Sequence, residues 1–306
     1  MLDLYKLQIF SVVVQEGSFS GAGERLLMTQ SGISQHIQDL ERTLGTMLFE
    51  RGRRGVTPTA AGRTLYEYSR TILKLVAEAE NAVTTVQNLP EGQLVIGATP
   101  GISVYLMPEW VQSFRARYPN LTVGVQTHTT PEIVALLRTG RLDLGFVEGE
   151  LDERHGETLG ALLLMEVEQQ VMIGAKHPWW GRGVVSLEEL NGQSFIMRQR
   201  ESQSRLWLDE ILQAHGVKPK VMAEFDNLES IKRAVIGGSC LTILPDYVVG
   251  QEQTLGLIQT LAIKGTPLRR ILKMIWLRER FFSPITHAFL NHIRQMFPHI
   301  LPQESK

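Results

Sequence analysis

Residues 26–41 read LLMTQSGISQHIQDLE, and this stretch predicts a helix with two unlike parts. Ile33, Ile37 and Leu40 recur at spacings of four and three, which is the pattern of one buried helical face. The first turn instead carries small hydroxyl and amide side chains without charge. Gly45 follows as a natural stop. The stretch therefore predicts an amphipathic helix whose N-terminal turn is small, polar and uncharged.

Two shorter helices are predicted ahead of this one. The first has the apolar residues Leu7, Phe10 and Val14 on one face, and it ends at Gly17. The second covers residues 20–27, with Ser18 and Ser20 as candidate N-caps. A tight turn at residues 27–29 leads into the third helix. Three short helices joined in this way predict a helix-turn-helix.

A basic segment follows the three helices. Residues 48–50 and 56–57 can form short strands around the glycine-bracketed tip RGRRG at residues 51–55. Taken alone, such a tip could also be a solvated basic loop. Because it comes directly after a helix-turn-helix, we interpret it as a wing.

A long helix is predicted from Thr59 to about residue 88. Its apolar residues alternate at spacings of three and four over about three and a half heptads, which is typical of a coiled-coil seam. An amphipathic helix packed on its own domain is the alternative. The narrowness of the seam favours pairing with a second copy of the chain. The seam residues are Leu65, Tyr68, Ile72, Leu75, Ala79, Ala82, Val86 and Leu89.

The pattern changes after NLPEGQ at residues 88–93, whose proline and glycine predict a hinge. From there strands alternate with helices, and this alternation predicts parallel sheet covered on both faces. A second block repeats the pattern, with Cys240 in a strand as a packing residue or, alternatively, a redox sensor. Two lobes of about a hundred residues each, with a cleft between them, are expected.

Composition limits the classes of protein that remain. A chain of 306 residues is too long for one ordinary core, its formal net charge is −1, and it has one cysteine. The N-terminal stretch contains Asp3 and Lys6 and does not resemble a signal peptide. No run of apolar residues is long enough to predict a membrane span. We expect a cytoplasmic protein that does not bind membranes.

The uncharged helix tip suggests contact with DNA. A small N-terminal turn can enter the major groove closely, where amide and hydroxyl groups read base edges. The residues that point away from the buried face, and are free to do so, are Gln30, Ser31, Ser34 and Gln35. Phosphate contacts are expected from Ser18, Arg51, Arg53 and Arg54. Residues 1–90 contain nine Lys or Arg and nine Asp or Glu, so tight binding requires several copies.

These motifs resemble the DNA-binding domain of LysR-type transcriptional regulators. The matching stretches are GSF at residues 17–19, TQSGISQHIQDLE at 29–41, LGTMLFER at 44–51 and TAAG at 59–62. The sequence departs from the family at Gly23, where alanine is usual, at Ser31, where proline is frequent, and at Gly101, where serine or threonine is common. The departure at Ser31 means that the family's base preference does not transfer to this chain.

The resemblance implies an α/β multidomain protein. Its parts are an N-terminal winged helix-turn-helix (1–58), a long linker helix for dimerisation (59–89) and a two-lobed periplasmic-binding-protein-like effector domain, with lobe I at 92–162 plus 267–301 and lobe II at 163–266. It further implies a homodimer or homotetramer on double-stranded promoter DNA, a small-molecule effector, RNA polymerase as a partner, and no cofactor. More narrowly, ATPGISVYLMPEW and VIGGSCLTILP resemble regulators of sulfur assimilation and carbon dioxide fixation.

Several polar segments that begin helices are expected to meet at the cleft. Thr129 and Glu132 are spaced as a capping box, and Asp226 with Glu229 could cap a later helix. Convergent helix N-termini favour a small anion, although each hydroxyl could also be an ordinary cap. Glu148 would oppose an anion unless Arg198 or Arg200 offset it. The expected effector-binding residues, partly implied by the resemblance, are Thr99, Pro100, Gly101, His128, Thr130, Glu148, Arg198, Ser202 and Ser204.

The sequence bears differently on an enzyme, a metal site, a solute-binding protein and a DNA-bending protein. An enzyme would need a nucleophile, a base and an orienting group at one site, and no such set is recognisable. The histidines do not have metal-ligand spacing, so no metal is expected. A transporter's solute-binding protein would need an export signal and no helix-turn-helix. A DNA-bending protein without an effector remains the alternative function.

Overall fold

The computed structural model describes residues 2–298, apart from 53–54, 85–91, 152–157, 266 and 279–281, and gives backbone only at 51–52, 77–78 and 80–84. The chain forms two compact units. The first contains residues 1–90 together with 139–141, and the second contains residues 91–138 and 142–306.

The first unit begins with three helices, two short strands and a long helix. They are α1 (Leu4–Glu16), α2 (Phe19–Leu26), α3 (Gln30–Leu44), β1 (Phe49–Gly52), β2 (Gly55–Pro58) and α4 (Ala60–Thr84). The two strands pair in antiparallel fashion, with Glu50 opposite Thr57. The three helices and the strand pair agree with the predicted winged helix-turn-helix, and α4 begins one residue after the predicted start.

Local capping explains where the three short helices begin and end. The side chain of Thr29 accepts a hydrogen bond from the backbone N–H of Gly32, which opens α3. Ser18, rather than Ser20, caps α2 in the same way. Gly45 ends α3 with a φ of 67°, a left-handed conformation that glycine adopts without steric cost. Leu27 adopts a φ of 54° without being glycine, and this residue makes the tight turn between α2 and α3.

The core of the first unit joins the inner faces of α1, α2 and α3. Phe10, Ile33 and Ile37 are fully or almost fully buried there. The predicted seam of α4 divides in two: Leu65 and Ile72 pack against this core, whereas Tyr68 and Leu75 are 66% and 48% exposed. Ala79 is also exposed. The side chain of Ala82, with Val86 and Leu89, lies outside the described residues.

The second unit contains ten strands and seven helices among its described residues. The elements are β3 (Gln93–Ala98), α5 (Pro100–Tyr105), α6 (Met107–Arg117), β4 (Thr122–Thr127), α7 (Thr130–Arg138), β5 (Leu144–Glu148), β6 (Leu159–Gly174), β7 (Val184–Val185), β8 (Ser194–Arg198), α8 (Gln203–Ala214), β9 (Lys220–Phe225), α9 (Leu228–Gly237), β10 (Leu241–Pro245), α10 (Gly250–Thr254), β11 (Ile258–Ile263), β12 (Leu268–Leu277) and α11 (Pro284–Met296).

The sheet runs in the order β4-β3-β5-β12-β6-β10-β8-β9, with β11 beside β6. Strands β3, β4 and β5 form one parallel group, and β8, β9 and β10 form another. The expectation of parallel sheet alone is wrong, because β12 is antiparallel to β5 and β6, and β10 is antiparallel to β6. β6 is 16 residues long and pairs with β10 of one group and with β12, which in turn pairs with β5 of the other group. β6 and β12 together therefore link the two groups into one sheet.

Separate apolar clusters cover the two groups of strands. One contains Ile133, Leu142 and Ile275, and another contains Val171, Phe195 and Leu241. Cys240 is half-buried beside a third cluster around Ile231, Val235 and Leu244, and it serves packing there. Among the described residues, no helix is both long and apolar enough to cross a bilayer. The boundaries of lobes I and II remain a prediction.

Candidate effector cavity and DNA-reading helix

The N-terminal turn of α3 presents its polar residues to solvent. Gln30, Ser31 and Gln35 are exposed and Ser34 is half-buried, while the Ile33 face of the helix is buried. Their hydrogen bonds are local: Gln35 donates to Asp39 at 3.2 Å, and the hydroxyls of Ser31 and Thr29 lie 3.1 Å apart. The predicted division of this helix into a buried face and an exposed polar tip is thus present in the fold.

The predicted phosphate-contacting residues are described only in part. Ser18 Oγ accepts a hydrogen bond from the Gly21 backbone N–H at 2.9 Å, and the structure shows no acceptor for its own proton among the residues that it describes. Arg53, Arg54 and the side chain of Arg51 lie outside the described residues. Their role at the wing remains a prediction.

A cavity of about 100 Å³ lies within the second unit. Its walls come from the start of α5, the start of α7, the end of β5, and the connections that follow β8 and β10. Eight of the nine predicted effector residues line it. These are Thr99, Pro100, Gly101, Thr130, Glu148, Arg198, Ser202 and Ser204.

His128 was expected to bind the effector, but it is not among the residues that line the cavity, so its placement at the cavity wall is wrong. Its ring lies 3.2 Å from the side-chain oxygen of Gln126 and 3.9 Å from the carboxylate of Glu132. Its position at the end of β4 therefore brings it near the start of α7 without placing it on the cavity wall.

The start of α8 forms one wall of the cavity. Ser202 Oγ caps the helix by accepting from the backbone N–H of Arg205 at 3.2 Å, and it lies 3.4 Å from Ser204 Oγ. The N–H groups of the first helical turn have no partner within the helix itself. Together with the positive end of the helix dipole, they favour a negative group at this wall.

Two arginines near this wall differ in their partners. Arg205 is buried and bound by the carboxylates of Asp209 at 2.8 Å and Glu224 at 3.0 Å. Arg198 donates to the backbone carbonyl of Asp226 and, within the described part of the chain, forms no ion pair. Burial lowers the pKa of the Arg198 guanidinium, which means that its charge is incompletely solvated. Arg198 is thus the cation at this wall whose charge is least compensated.

The N-terminus of α7 already holds a carboxylate. Glu132 accepts from both the backbone N–H and the hydroxyl of Thr129, each at 2.8 Å, as the predicted capping box requires. These hydrogen bonds lower the pKa of the Glu132 carboxyl. Thr99, at the start of α5, makes no side-chain capping bond. Unlike the start of α7, the start of α8 is capped by the uncharged hydroxyl of Ser202, so its N-terminus is not already bound to the carboxylate of a capping residue.

The expected compensation of Glu148 by Arg198 or Arg200 is wrong. The buried carboxylate of Glu148 instead pairs with Arg270 of β12, whose Nη1 donates to Oε1 at 3.0 Å. Nη2 of Arg270 donates to the backbone carbonyl of Glu148 at 2.7 Å. Arg200 is largely exposed and lies 3.4 Å from Glu224. Glu148 is therefore neutralised by a partner that is 122 residues away in the chain.

Three more cavity residues complete the surroundings of this ion pair. Gln169 Nε2 donates to Glu148 Oε1 at 3.1 Å, and the Tyr247 hydroxyl donates to Oε2 at 2.9 Å. Trp207 lies against Arg270: the Cζ atom of the guanidinium is 5.2 Å from the centroid of the Trp207 ring. Sequence reasoning missed all of these residues. One signal was available for Arg270: its even spacing from Leu268 and Leu272 places a charge on the buried face of a strand.

The predicted capping of α9 by Asp226 and Glu229 is also wrong. Asn227 Oδ1 accepts from the backbone N–H of Ser230 at 2.8 Å and caps the helix. Glu229 instead pairs with Lys232, which is almost fully buried and also bound by Glu252, both at 2.7 Å. Among the described residues, no group of three or more His, Cys, Asp or Glu is placed to hold a metal.

A helix-turn-helix in the first unit, and a cavity with charged and hydroxyl side chains in the second, are features of a DNA-binding protein that has a ligand-binding domain. Residues 4–63 match the family model described as bacterial regulatory helix-turn-helix protein, lysR family. Residues 87–298 match the LysR substrate binding domain. The chain belongs to the LysR family of transcriptional regulators.

Relatives with curated names agree with this assignment. The chain is 33% identical over 306 residues to the probable RuBisCO transcriptional regulator of Porphyra purpurea, covering 99% of this chain and 96% of the relative. It is 30% identical over 297 residues to the protein of the same name from Synechocystis sp. (strain ATCC 27184 / PCC 6803 / Kazusa), covering 96% and 86%. Both relatives are thus named as probable regulators of RuBisCO transcription.

Solved structures share the fold. A full-length cysteine-to-aspartate variant of OxyR from Pseudomonas aeruginosa superposes with a TM-score of 0.74 at 23% identity, over 100% of this chain and 99% of that one. CbnR complexed with its target DNA gives 0.69 at 20% identity, over 96% and 99%. The regulatory domain of Synechocystis PCC6803 CcmR in complex with 2-PG gives 0.62 at 24% identity, over 68% and 98%.

Proposed function

We propose that this LysR-type regulator controls genes of carbon fixation and responds to a small anion bound in the cavity of the second unit. The carbon-fixation assignment is supported by the names of relatives that match almost the whole chain at 33% identity. The proposal includes a cytoplasmic location, with promoter DNA and RNA polymerase as partners. A DNA-bending protein without an effector remains the second candidate.

The α8 wall is the observation that carries the effector assignment. Arg198 supplies a positive charge without an ion-pair partner in the described part of the chain, beside Ser204 and the first N–H groups of the helix. All of these groups can donate hydrogen bonds to an anion. The cavity is small, so it suits a ligand of few non-hydrogen atoms. The complex of CcmR with 2-PG provides a structural parallel for a bound small molecule.

The DNA-reading assignment rests on α3. Its exposed tip carries the amide groups of Gln30 and Gln35, which can form paired hydrogen bonds with adenine in the major groove. The complex of CbnR with its target DNA provides a parallel in the same fold. Phosphate contacts from Ser18 and the wing would fix the register of the helix on the duplex.

Assembly into a homodimer or homotetramer would bring several such tips to one promoter. Tyr68, Leu75 and Ala79 lie exposed on α4 and are spaced by seven and four residues, so they share a helical face. A row of exposed apolar residues on a long helix suits pairing with a second copy. Leu65 and Ile72 stabilise the attachment of α4 to its own domain instead.

Footprinting tests the proposal most directly. The full chain is placed on the DNA upstream of its own gene and of the neighbouring gene, with and without a panel of small organic and inorganic acids. We expect a protected site whose extent changes with at least one acid. The same acid should raise the melting temperature by binding the folded state. If no acid alters the footprint or the melting temperature, the effector-independent function is favoured.

Two arginine variants test whether the acid that changes the footprint binds at the α8 wall. Arg198→Gln should abolish the effect of the acid while leaving the footprint of the free protein unchanged. Arg200→Gln is the matched control, because Arg200 lies two residues away but is largely exposed and does not line the cavity. Equal loss of the response in both variants would contradict the placement of the anion at α8.

A further inference from the structure

The Gly101 position and the Tyr247 hydroxyl occupy the same corner of the cavity. A Cβ atom added at Gly101 would lie 2.7 Å from Tyr247 Oη and 3.5 Å from Tyr247 Cζ. A separation of 2.7 Å is shorter than a real Cβ contact allows, so a side chain at 101 and this hydroxyl exclude each other. Glycine at 101 leaves the space, and Tyr247 places a hydroxyl in it.

The Tyr247 hydroxyl is held in one orientation. It donates to Glu148 Oε2 at 2.9 Å, and Glu148 is held in turn by Gln169 and Arg270. Burial raises the pKa of the Tyr247 phenol well above its ordinary value, so the group stays protonated near neutral pH. Its single proton is thus committed to Glu148.

The Tyr247 hydroxyl can still accept a hydrogen bond, while Arg270 Nε in the same corner is a buried donor without a partner in the described part of the chain. A tyrosine hydroxyl that donates its proton keeps oxygen lone pairs that can accept, and Glu148 Oε2 has one donor and room for another. The α8 wall offers donors, namely Arg198, Ser204 and the N–H groups of the first turn. The cavity lining thus contains donors from α8 together with acceptors at Tyr247 Oη and Glu148 Oε2.

We infer that Tyr247 and Glu148 determine specificity, and that they select an anion that also carries a hydroxyl. The acidic group of the ligand would bind the α8 wall, and its hydroxyl would donate to Tyr247 Oη, whose orientation is fixed by Glu148. The chemical class is a hydroxy acid or a phosphate ester with a free hydroxyl. This inference rests on the proposed function, because it assumes that the effector occupies this cavity.

Matched pairs of acids test the selection. Isothermal titration of the full chain compares lactate with propionate, malate with succinate, and glycerol 3-phosphate with propyl phosphate. Each pair differs chiefly in whether a free hydroxyl is present. We expect the hydroxylated member of at least one pair to bind about tenfold more tightly, as one additional hydrogen bond predicts. Equal affinities within every pair that binds would overturn the inference.

Variants then assign the preference to Tyr247. Tyr247→Phe should reduce the preference for the hydroxylated acid several-fold. Gly101→Ser alone should weaken binding of both acids, because its side chain meets the Tyr247 hydroxyl. In the Tyr247→Phe background the same serine has space, so the double variant should regain part of the preference. Tyr105→Phe is the control, since its hydroxyl donates to Glu229 and the residue does not line the cavity.

The outcomes separate the two proposals. An unchanged preference in Tyr247→Phe overturns the inference and leaves the effector site intact, provided that Arg198→Gln abolishes binding of the same acids. Absence of Arg198-dependent binding for every acid tested contradicts the proposed effector site, and the inference with it. If Tyr247→Phe fails to fold, the comparison of paired acids in the unaltered protein still tests whether the cavity selects a hydroxylated anion.

Discussion

Arg270 shows how a single buried charge is stabilised in this protein. It is 7% exposed, and its guanidinium is bound by the carboxylate and the carbonyl of Glu148 and lies against Trp207. A glycine at 149, with a φ of 98°, leaves room for the guanidinium beside the backbone. Removing one member of such a pair leaves the other charge buried without a counter-charge, which is far more destabilising than losing an exposed pair.

Arg270→Met should therefore lower the free energy of unfolding by about 3–5 kcal/mol. Urea denaturation followed by circular dichroism measures this change. The neighbouring Arg269→Met serves as control, because Arg269 is exposed and pairs with an equally exposed Glu166, so its loss should cost less than about 1 kcal/mol. Adding Glu148→Gln to Arg270→Met should recover part of the loss, and failure to recover any would contradict an origin in the unpaired carboxylate.

Gln30 and Gln35 allow a second test at the level of single residues. Replacing either with alanine should weaken binding to the specific promoter site by about 1–3 kcal/mol, with a smaller effect on random DNA. Gln38→Ala is the control, since Gln38 is an exposed amide on the same helix beyond its first turns. Quantitative gel-shift titrations provide the measurement. Equal losses on specific and random DNA would refute base readout by these residues.

At the level of elements, α4 carries two sets of apolar residues, one packed and one exposed, that the heptad pattern does not distinguish. The apolar repeat in the sequence contained both Leu65, which packs internally, and Tyr68, which is exposed. Periodicity identifies an apolar stripe without stating what covers each part of it. Only the packing of the helix-turn-helix core against α4 shows which apolar residues are buried and which are exposed.

Leu75→Asp should dissociate the assembly while leaving the folded unit intact, because Leu75 is 48% exposed. A charge in a coiled-coil seam would have to be desolvated on pairing. Sedimentation velocity should show a shift from dimers or tetramers to monomers. Arg70→Asp introduces the same side chain at another exposed position of α4, five residues away and off this face, and should leave assembly unchanged. An unchanged oligomeric state in Leu75→Asp would count against the seam.

The strands of the second unit illustrate a different limit at this level. The stretches QLVIGA, SFIMR and KVMAEF predict strands at 93–98, 194–198 and 220–225, and these are the bounds of β3, β8 and β9. The stretch VEQQVMIGA predicts a strand only from residue 167, whereas β6 begins at residue 159. The stretch VYLMPEWVQSFRARY predicts one helix, whereas the chain breaks at Leu106 between α5 and α6. Strand direction was also missed for β12, since apolar patterning is the same for parallel and antiparallel pairing when both faces are covered.

For the whole molecule, two buried histidines predict a dependence of stability on pH. Burial lowers the pKa of both His177 and His292 below the ordinary value of 6.5. His177 Nδ1 also accepts from the backbone N–H of Trp179 at 3.1 Å, a bond that protonation of that nitrogen would break. As pH falls through the ordinary histidine pKa, the unfolded chain therefore binds protons that the folded chain does not.

The free energy of unfolding should therefore decrease as the pH falls from about 8 to about 5.5. Urea titrations at several pH values give the slope. The lowered carboxyl pKa values of Glu132 and Glu224 act only below their ordinary value of 4.5, outside this window. Replacing both histidines with glutamine should flatten the slope, and an unchanged slope in that variant would exclude them as its source.

The sequence alone determined the local chemistry of this protein. The helix-turn-helix, the polar tip of α3 and the capping box at Thr129 follow from residue type and short-range spacing, and the family resemblance helped to identify eight residues of the cavity wall. The tertiary structure decided which distant residues meet: Arg270 as the partner of Glu148, Tyr247 in the space left by Gly101, and Leu65 inward rather than outward on α4. The physical reason is that capping and helical periodicity act over a few residues, whereas charge compensation and packing depend on strands and helices that only folding brings together.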